Sequence, residues 1–160
     1  MGDERYRHPM LRRVRPFWPP APRSAVDALY ATGYFLFAEQ HLMHARAVFR
    51  GMIHLAPDDE RGWLALGACY EAQHPDLALR LYESARQSTS FAPRCELARA
   101  RILRARGRLS EARQALTEAA IGAQHARDAE LQSVIAREWV KMDGGRVERQ
   151  DGGGSTFRAS

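Results

Sequence analysis

At 160 residues the chain is long enough to bury one core, and its net charge of +5 with 45% hydrophobic residues suits a globular protein. The longest apolar stretch, residues 28–38, contains Thr32 and Gly33 and is too short for a bilayer, which excludes a membrane span. Two cysteines and an N-terminus without an apolar leader predict a cytoplasmic protein with reduced, partly buried thiols at Cys69 and Cys95.

In chain order, residues 1–23 come first. Pro9, Pro16, Pro19, Pro20 and Pro22 exclude a long helix there, and six arginines face only Asp3 and Glu4. The expectation is a flexible, basic arm. Arg12, Arg13 and Arg15 flank Phe17 and Trp18, a pattern compatible with nucleic-acid contact. A short arm without a recognition fold gives only weak, salt-sensitive binding, so nucleic acid is not the expected partner.

From residue 24 a repeat takes over. Ser24 to Asp27 reads as a capping box opening the first helix. Gly33 and Gly67 lie 34 residues apart; Ala45, Ala78 and Ala112 follow at intervals of 33 and 34, with Phe49, Tyr82 and Leu116 each four residues further on. This is the tetratricopeptide period, in which each unit is an antiparallel helix pair. Small residues at Gly33, Gly67 and Ala100 let the two helices of a pair approach closely. The units span residues 26–59, 60–92 and 93–126. Pro57, Asp58 and Asp59 divide the first two, and Pro93 suits the first turn of the fifth helix. The second unit loses one residue at His74-Pro75-Asp76, and Arg99 takes an ordinarily apolar place in the third.

Leu131, Val134, Ile135, Trp139 and Met142 then form one apolar stripe, as a helix covering the last repeat requires. Gly144 and Gly145 are expected to stop it, leaving residues 144–160 as a flexible glycine-rich tail. The ordered domain is therefore 24–143: an all-α solenoid of three helix pairs with a C-terminal capping helix. Strict strand-type alternation is absent from the sequence.

No motif for catalysis appears. His41, His44 and His54 are close in sequence, but two of them fall at a turn and no carboxylate or thiolate completes a metal set. No nucleophile elbow, phosphate-binding glycine loop or zinc-protease motif is present, so neither enzyme activity, cofactor nor metal is expected. Binding positions follow instead from the repeat. Places 2, 5, 9 and 12 of each first helix line the concave side: Asp27, Tyr30, Tyr34 and Phe37; Arg61, Leu64, Ala68 and Glu71; Arg94, Leu97, Arg101 and Arg104. The aromatic stripe of Tyr30, Tyr34 and Phe37 either walls a groove or packs against residues 14–22. Arg101 and Arg104 belong to a cluster from Arg94 to Arg113, seven arginines against Glu96 and Glu111, which predicts an end of the groove that prefers acidic groups. The groove so composed suits an extended peptide with apolar anchors.

The chain also resembles the tetratricopeptide-type translocator chaperones of bacterial type III secretion. The resemblance rests on Leu29-Tyr30 with Tyr34 and Phe37, on Leu66-Gly67-Ala68-Cys69 followed by Asp76-Leu77-Ala78 and Tyr82, and on Pro93-Arg94 with Gly107 through Ala112. It covers residues 26–125. It implies a cytoplasmic, virulence-associated chaperone that holds a segment of a hydrophobic secreted translocator in its groove and keeps it soluble before export. The repeat alone also admits a general adaptor for protein assembly, and the residues leave a homodimer open.

Overall fold

The computed structural model describes residues 23–150, with side chains over 25–143. Seven α-helices make up these residues, and no strand occurs among them: α1 (Arg23–Ala38), α2 (Leu42–Leu55), α3 (Glu60–Glu71), α4 (Pro75–Ser88), α5 (Pro93–Ala105), α6 (Leu109–His125) and α7 (Ala129–Gln150). The three expected pairs are α1–α2, α3–α4 and α5–α6, with α7 as the closing helix. Most of the expected arm, residues 1–22, and residues 151–160 of the expected tail lie outside the described residues.

Three fixed crossings hold the pairs. A methyl placed on Gly33 would lie 2.4 Å from Phe49 Cε1, and one on Gly67 only 2.1 Å from Tyr82 Cε1. Aromatic rings from α2 and α4 therefore fill the space that the glycines leave. In the third pair the combination is Ala100 with Leu116, both buried in one cluster: a methyl is tolerated where the facing side chain is smaller. The template positions thus vary as a matched set of small and large residues.

Turn chemistry explains the spacing. Gln40, Gly107 and Arg127 adopt left-handed φ values of 62°, 73° and 53° just after α1, α5 and α6. At each, two reversed backbone bonds close the helix end, such as His41 N–H to Leu36 C=O at 2.8 Å and Gln40 N–H to Phe37 C=O at 3.0 Å. The α3–α4 turn has no left-handed residue. Pro75 opens α4 directly there, which accounts for the missing residue in the second unit.

Two expectations about helix ends need correction. α1 starts at Arg23, so Ser24 is inside its first turn rather than at the cap position. α7 continues through Gly144 and Gly145 to Gln150. Glycine disfavours a helix by only about 1 kcal/mol relative to alanine, and two of them need not stop one that is already docked.

The pairs stack in sequence, α2 on α3, α4 on α5 and α6 on α7. The first helices also touch one another, α1 with α3, α3 with α5 and α5 with α7, while α2, α4 and α6 make no such close backbone approach. A stack that is tight along one row and open along the other curves around the tight row. α1, α3, α5 and α7 form the inner wall.

Two clusters make the core. One joins Phe49, Leu66, Tyr82 and Cys95 from the first two pairs and the start of α5; the other joins Leu97, Leu103 and Leu116 to Leu131, Ile135 and Met142 of α7. Val134 and Trp139 pack at its edge, so the predicted stripe is the docking face of α7. Both cysteines are free and buried, and burial pushes the Cys95 thiol far up.

Candidate peptide-binding groove

The inner wall begins with α1. Tyr34 is 59% exposed, whereas Tyr30 and Phe37 are half-buried against the first core cluster. The predicted stripe is therefore one open ring between two supporting ones. Tyr30 is braced on two sides: its ring centroid is 6.4 Å from that of Phe49, and the Arg61 guanidinium sits over it at 5.2 Å. Arg61 is itself held by Asp27 at 2.8 Å and Asp59 at 2.7 Å. The Asp27–Arg61 bridge joins place 2 of the first unit to place 2 of the second.

On α3, Leu64 and Ala68 are half-buried and Glu71 is exposed, accepting a hydrogen bond from the Tyr82 hydroxyl. Along these two helices the wall offers an aromatic ring, a leucine, an alanine and a carboxylate. A half-exposed apolar surface with one hydrogen-bonding group suits a chain with spaced apolar side chains.

The α5 end differs from expectation. Leu97 is only 5% exposed, because it shares the second core cluster with Leu131 and Ile135 of α7, so it presents no open surface. Arg101 and Arg104 both reach a carboxylate that sequence reasoning passed over. Arg101 donates to Glu138 at 3.1 Å, Arg104 approaches the same group at 3.7 Å, and Lys141 adds a bond at 3.0 Å. Glu138 is 4% exposed. Burial alone would raise its carboxyl, but Lys141 and Arg101 together outweigh burial and hold it below the usual glutamate range. Its place was legible: it lies seven residues after Leu131, in the middle of the apolar stripe, where a charge is out of pattern.

The remaining arginines of the basic cluster are paired too. Arg94 meets Asp128, Arg99 meets Glu96 and Glu83, Arg106 meets Asp76, Arg108 meets Glu111, and Arg113 meets Asp143. Glu83, Asp76 and Asp143 come from other helices and Asp128 from the turn before α7, so a local count of charge overstated the field. Among the described residues no three His, Cys, Asp or Glu side chains gather in a way that would hold a metal ion. No described helix is long and apolar enough to cross a membrane.

No protein-family model matches the sequence, and no curated protein matches it either. Solved structures do. The translocator chaperone SycD of Yersinia enterocolitica superimposes with a TM-score of 0.65 at 24% identity, over 81% of this chain and 88% of that one. The chain has the fold of the type III secretion translocator chaperones. SycD in complex with a peptide of the translocator YopD gives a TM-score of 0.65 at 24% identity, covering 79% of this chain and 95% of that one. PcrH in complex with the chaperone-binding region of PopD gives 0.64 at 22% identity, covering 80% and 96%.

Proposed function

We propose that this protein is a bacterial, cytoplasmic chaperone of type III secretion that binds a segment of a hydrophobic translocator along its inner wall and keeps it soluble before export. The observation that carries this reading is the shared fold with SycD, solved with a peptide of the translocator YopD, and with PcrH, solved with the chaperone-binding region of PopD. It is supported by the composition of the wall. Tyr34 stands open between braced neighbours, and Leu64, Ala68 and Glu71 continue the surface along α3. The groove binds rather than catalyses.

The test is co-expression with the translocator encoded nearest to this chain in its native genome. The expected result is a soluble complex with the native protein and an insoluble translocator without it. Tyr34→Ala should weaken the complex by about 2 kcal/mol, roughly thirtyfold in Kd, while leaving the melting temperature unchanged. A translocator that stays insoluble beside the folded native protein would remove the chaperone reading. A complex indifferent to Tyr34→Ala would move the site off α1.

A further inference from the structure

Among the described residues the buried charged side chains are Glu96 and Glu138. Glu96 shares Arg86 of α4 and Arg99 of its own helix with Glu83, two carboxylates against two cations. Glu138 is different: it projects from α7 to α5, and its surroundings are unbalanced. Three cations, Arg101, Arg104 and Lys141, surround this one carboxylate, an excess of two positive charges. The match is incomplete as well. Glu138 Oε2 and Arg104 Nε are both buried without a hydrogen-bond partner. A leucine at 138 would extend the stripe of Leu131, Ile135 and Met142, and apolar replacements of buried ion pairs are commonly at least as stable. Docking α7 therefore does not require a charge here.

We propose that Arg101 and Arg104 form a carboxylate-binding subsite at the α5 end of the groove, with Glu138 as its built-in occupant, displaced by an acidic residue of the bound peptide. This rests on the peptide-binding reading above and adds to it a chemical requirement: an Asp or Glu on the client at the far end from its aromatic-binding anchor. The exchange is feasible because one carboxylate replaces another on the same two guanidinium groups, so no buried cation is left unpaired. The side chains of Arg101 and Arg104 remain 48% and 37% exposed as wholes, although Arg104 Nε is buried, which gives an incoming carboxylate access from the groove side. Without a client, Glu138 keeps the two arginines neutralised, while the apolar stripe holds α7 on the third pair.

Hexaglutamate, which has no apolar anchor, is the probe, measured by calorimetry at low ionic strength on the full chain. The native protein should bind it, Glu138→Gln should bind about tenfold tighter, and Arg104→Gln should lose the binding. Arg106→Gln removes the same charge outside the subsite, where Arg106 pairs with Asp76, and should bind as the native protein does. Glu138→Leu keeps α7 docked by apolar contact and frees the same arginines, so it should also bind about tenfold tighter than the native protein, whether or not the glutamine variant folds well. Amide exchange over residues 136–143 should speed up when the probe binds the native protein. Equal affinity of native and both Glu138 variants, equal loss in Arg104→Gln and Arg106→Gln, or slower exchange in α7 would each overturn the subsite. Because the probe carries no translocator sequence, a failure here leaves the co-expression result standing, and the reverse also holds.

Discussion

A methyl group on Gly67 would lie 2.1 Å from Tyr82 Cε1 and 2.8 Å from its hydroxyl oxygen, and Tyr82 cannot swing away, being fully buried and bonded to Glu71. Gly67→Ala must therefore spread α3 from α4. The expected cost is about 2 kcal/mol, a fall of roughly 8 °C in melting temperature. Ala100→Gly at the equivalent crossing should behave differently, costing about 1 kcal/mol by helix propensity, since Leu116 already accommodates the methyl. Equal losses from the two changes would mean that the glycine–ring fit does not govern the crossing. The aromatic residues separate in the same way. Tyr34 has its ring in solvent, whereas Phe37 supports the first core cluster, so Phe37→Ala should lower the melting temperature and Tyr34→Ala should not. Sequence spacing put both rings on one face but could not tell that a helix face half a turn wide divides into an open and a supported part.

At the scale of the helix, α7 shows what was legible and what was not. Its apolar stripe follows from local periodicity, and the structure docks that stripe. Its ends do not follow so directly. Asp128 caps α7 by accepting from the Leu131 N–H at 2.9 Å, and the same carboxylate pairs with Arg94 on α5. Glu60 plays a related part for α5, reaching from α3 to accept from the Cys95 N–H at 2.8 Å. The Arg94–Asp128 and Glu60–Cys95 bonds link residues 34 and 35 apart, one repeat, so the repeat period held the clue. A charge count within one segment cannot find them, because the partners of Arg94, Arg106 and Arg113 are brought in by stacking rather than by neighbours in sequence. Asp128→Ala removes the cap and the pair together. It should lower stability and show first as faster amide exchange in the opening turn of α7, with α1 to α4 unchanged. Exchange rising uniformly over all helices would mean that α7 is not a separable closing element.

At the scale of the whole molecule, two sets of carboxylates respond to acid in opposite senses. Burial raises Glu60 and Glu96 above the usual value of 4.5, so the folded protein takes up their protons more readily than the unfolded chain does. Their contribution improves as pH falls from neutral toward that value and is lost as pH rises through the raised values in the fold. Asp59 is held low mainly by its bond from Arg61, Asp128 mainly by the Leu131 N–H, and Glu138 by Lys141 and Arg101 against its own burial. Those three stabilise the fold above their unfolded values and stop doing so once acid protonates them in the fold. The melting temperature should therefore rise as pH falls from neutral toward the ordinary carboxylate range, pass a maximum just above it, and drop steeply once acid protonates the lowered carboxylates in the fold. Glu96→Gln places a neutral side chain in the buried site and should flatten the rise without moving the acid limb. A melting temperature that falls steadily from pH 7 downward, or a Glu96→Gln profile that keeps the full rise, would show that the buried carboxylates do not set the neutral side of the curve. In that case the arginine pairs on the surface of the stack would control its response to pH.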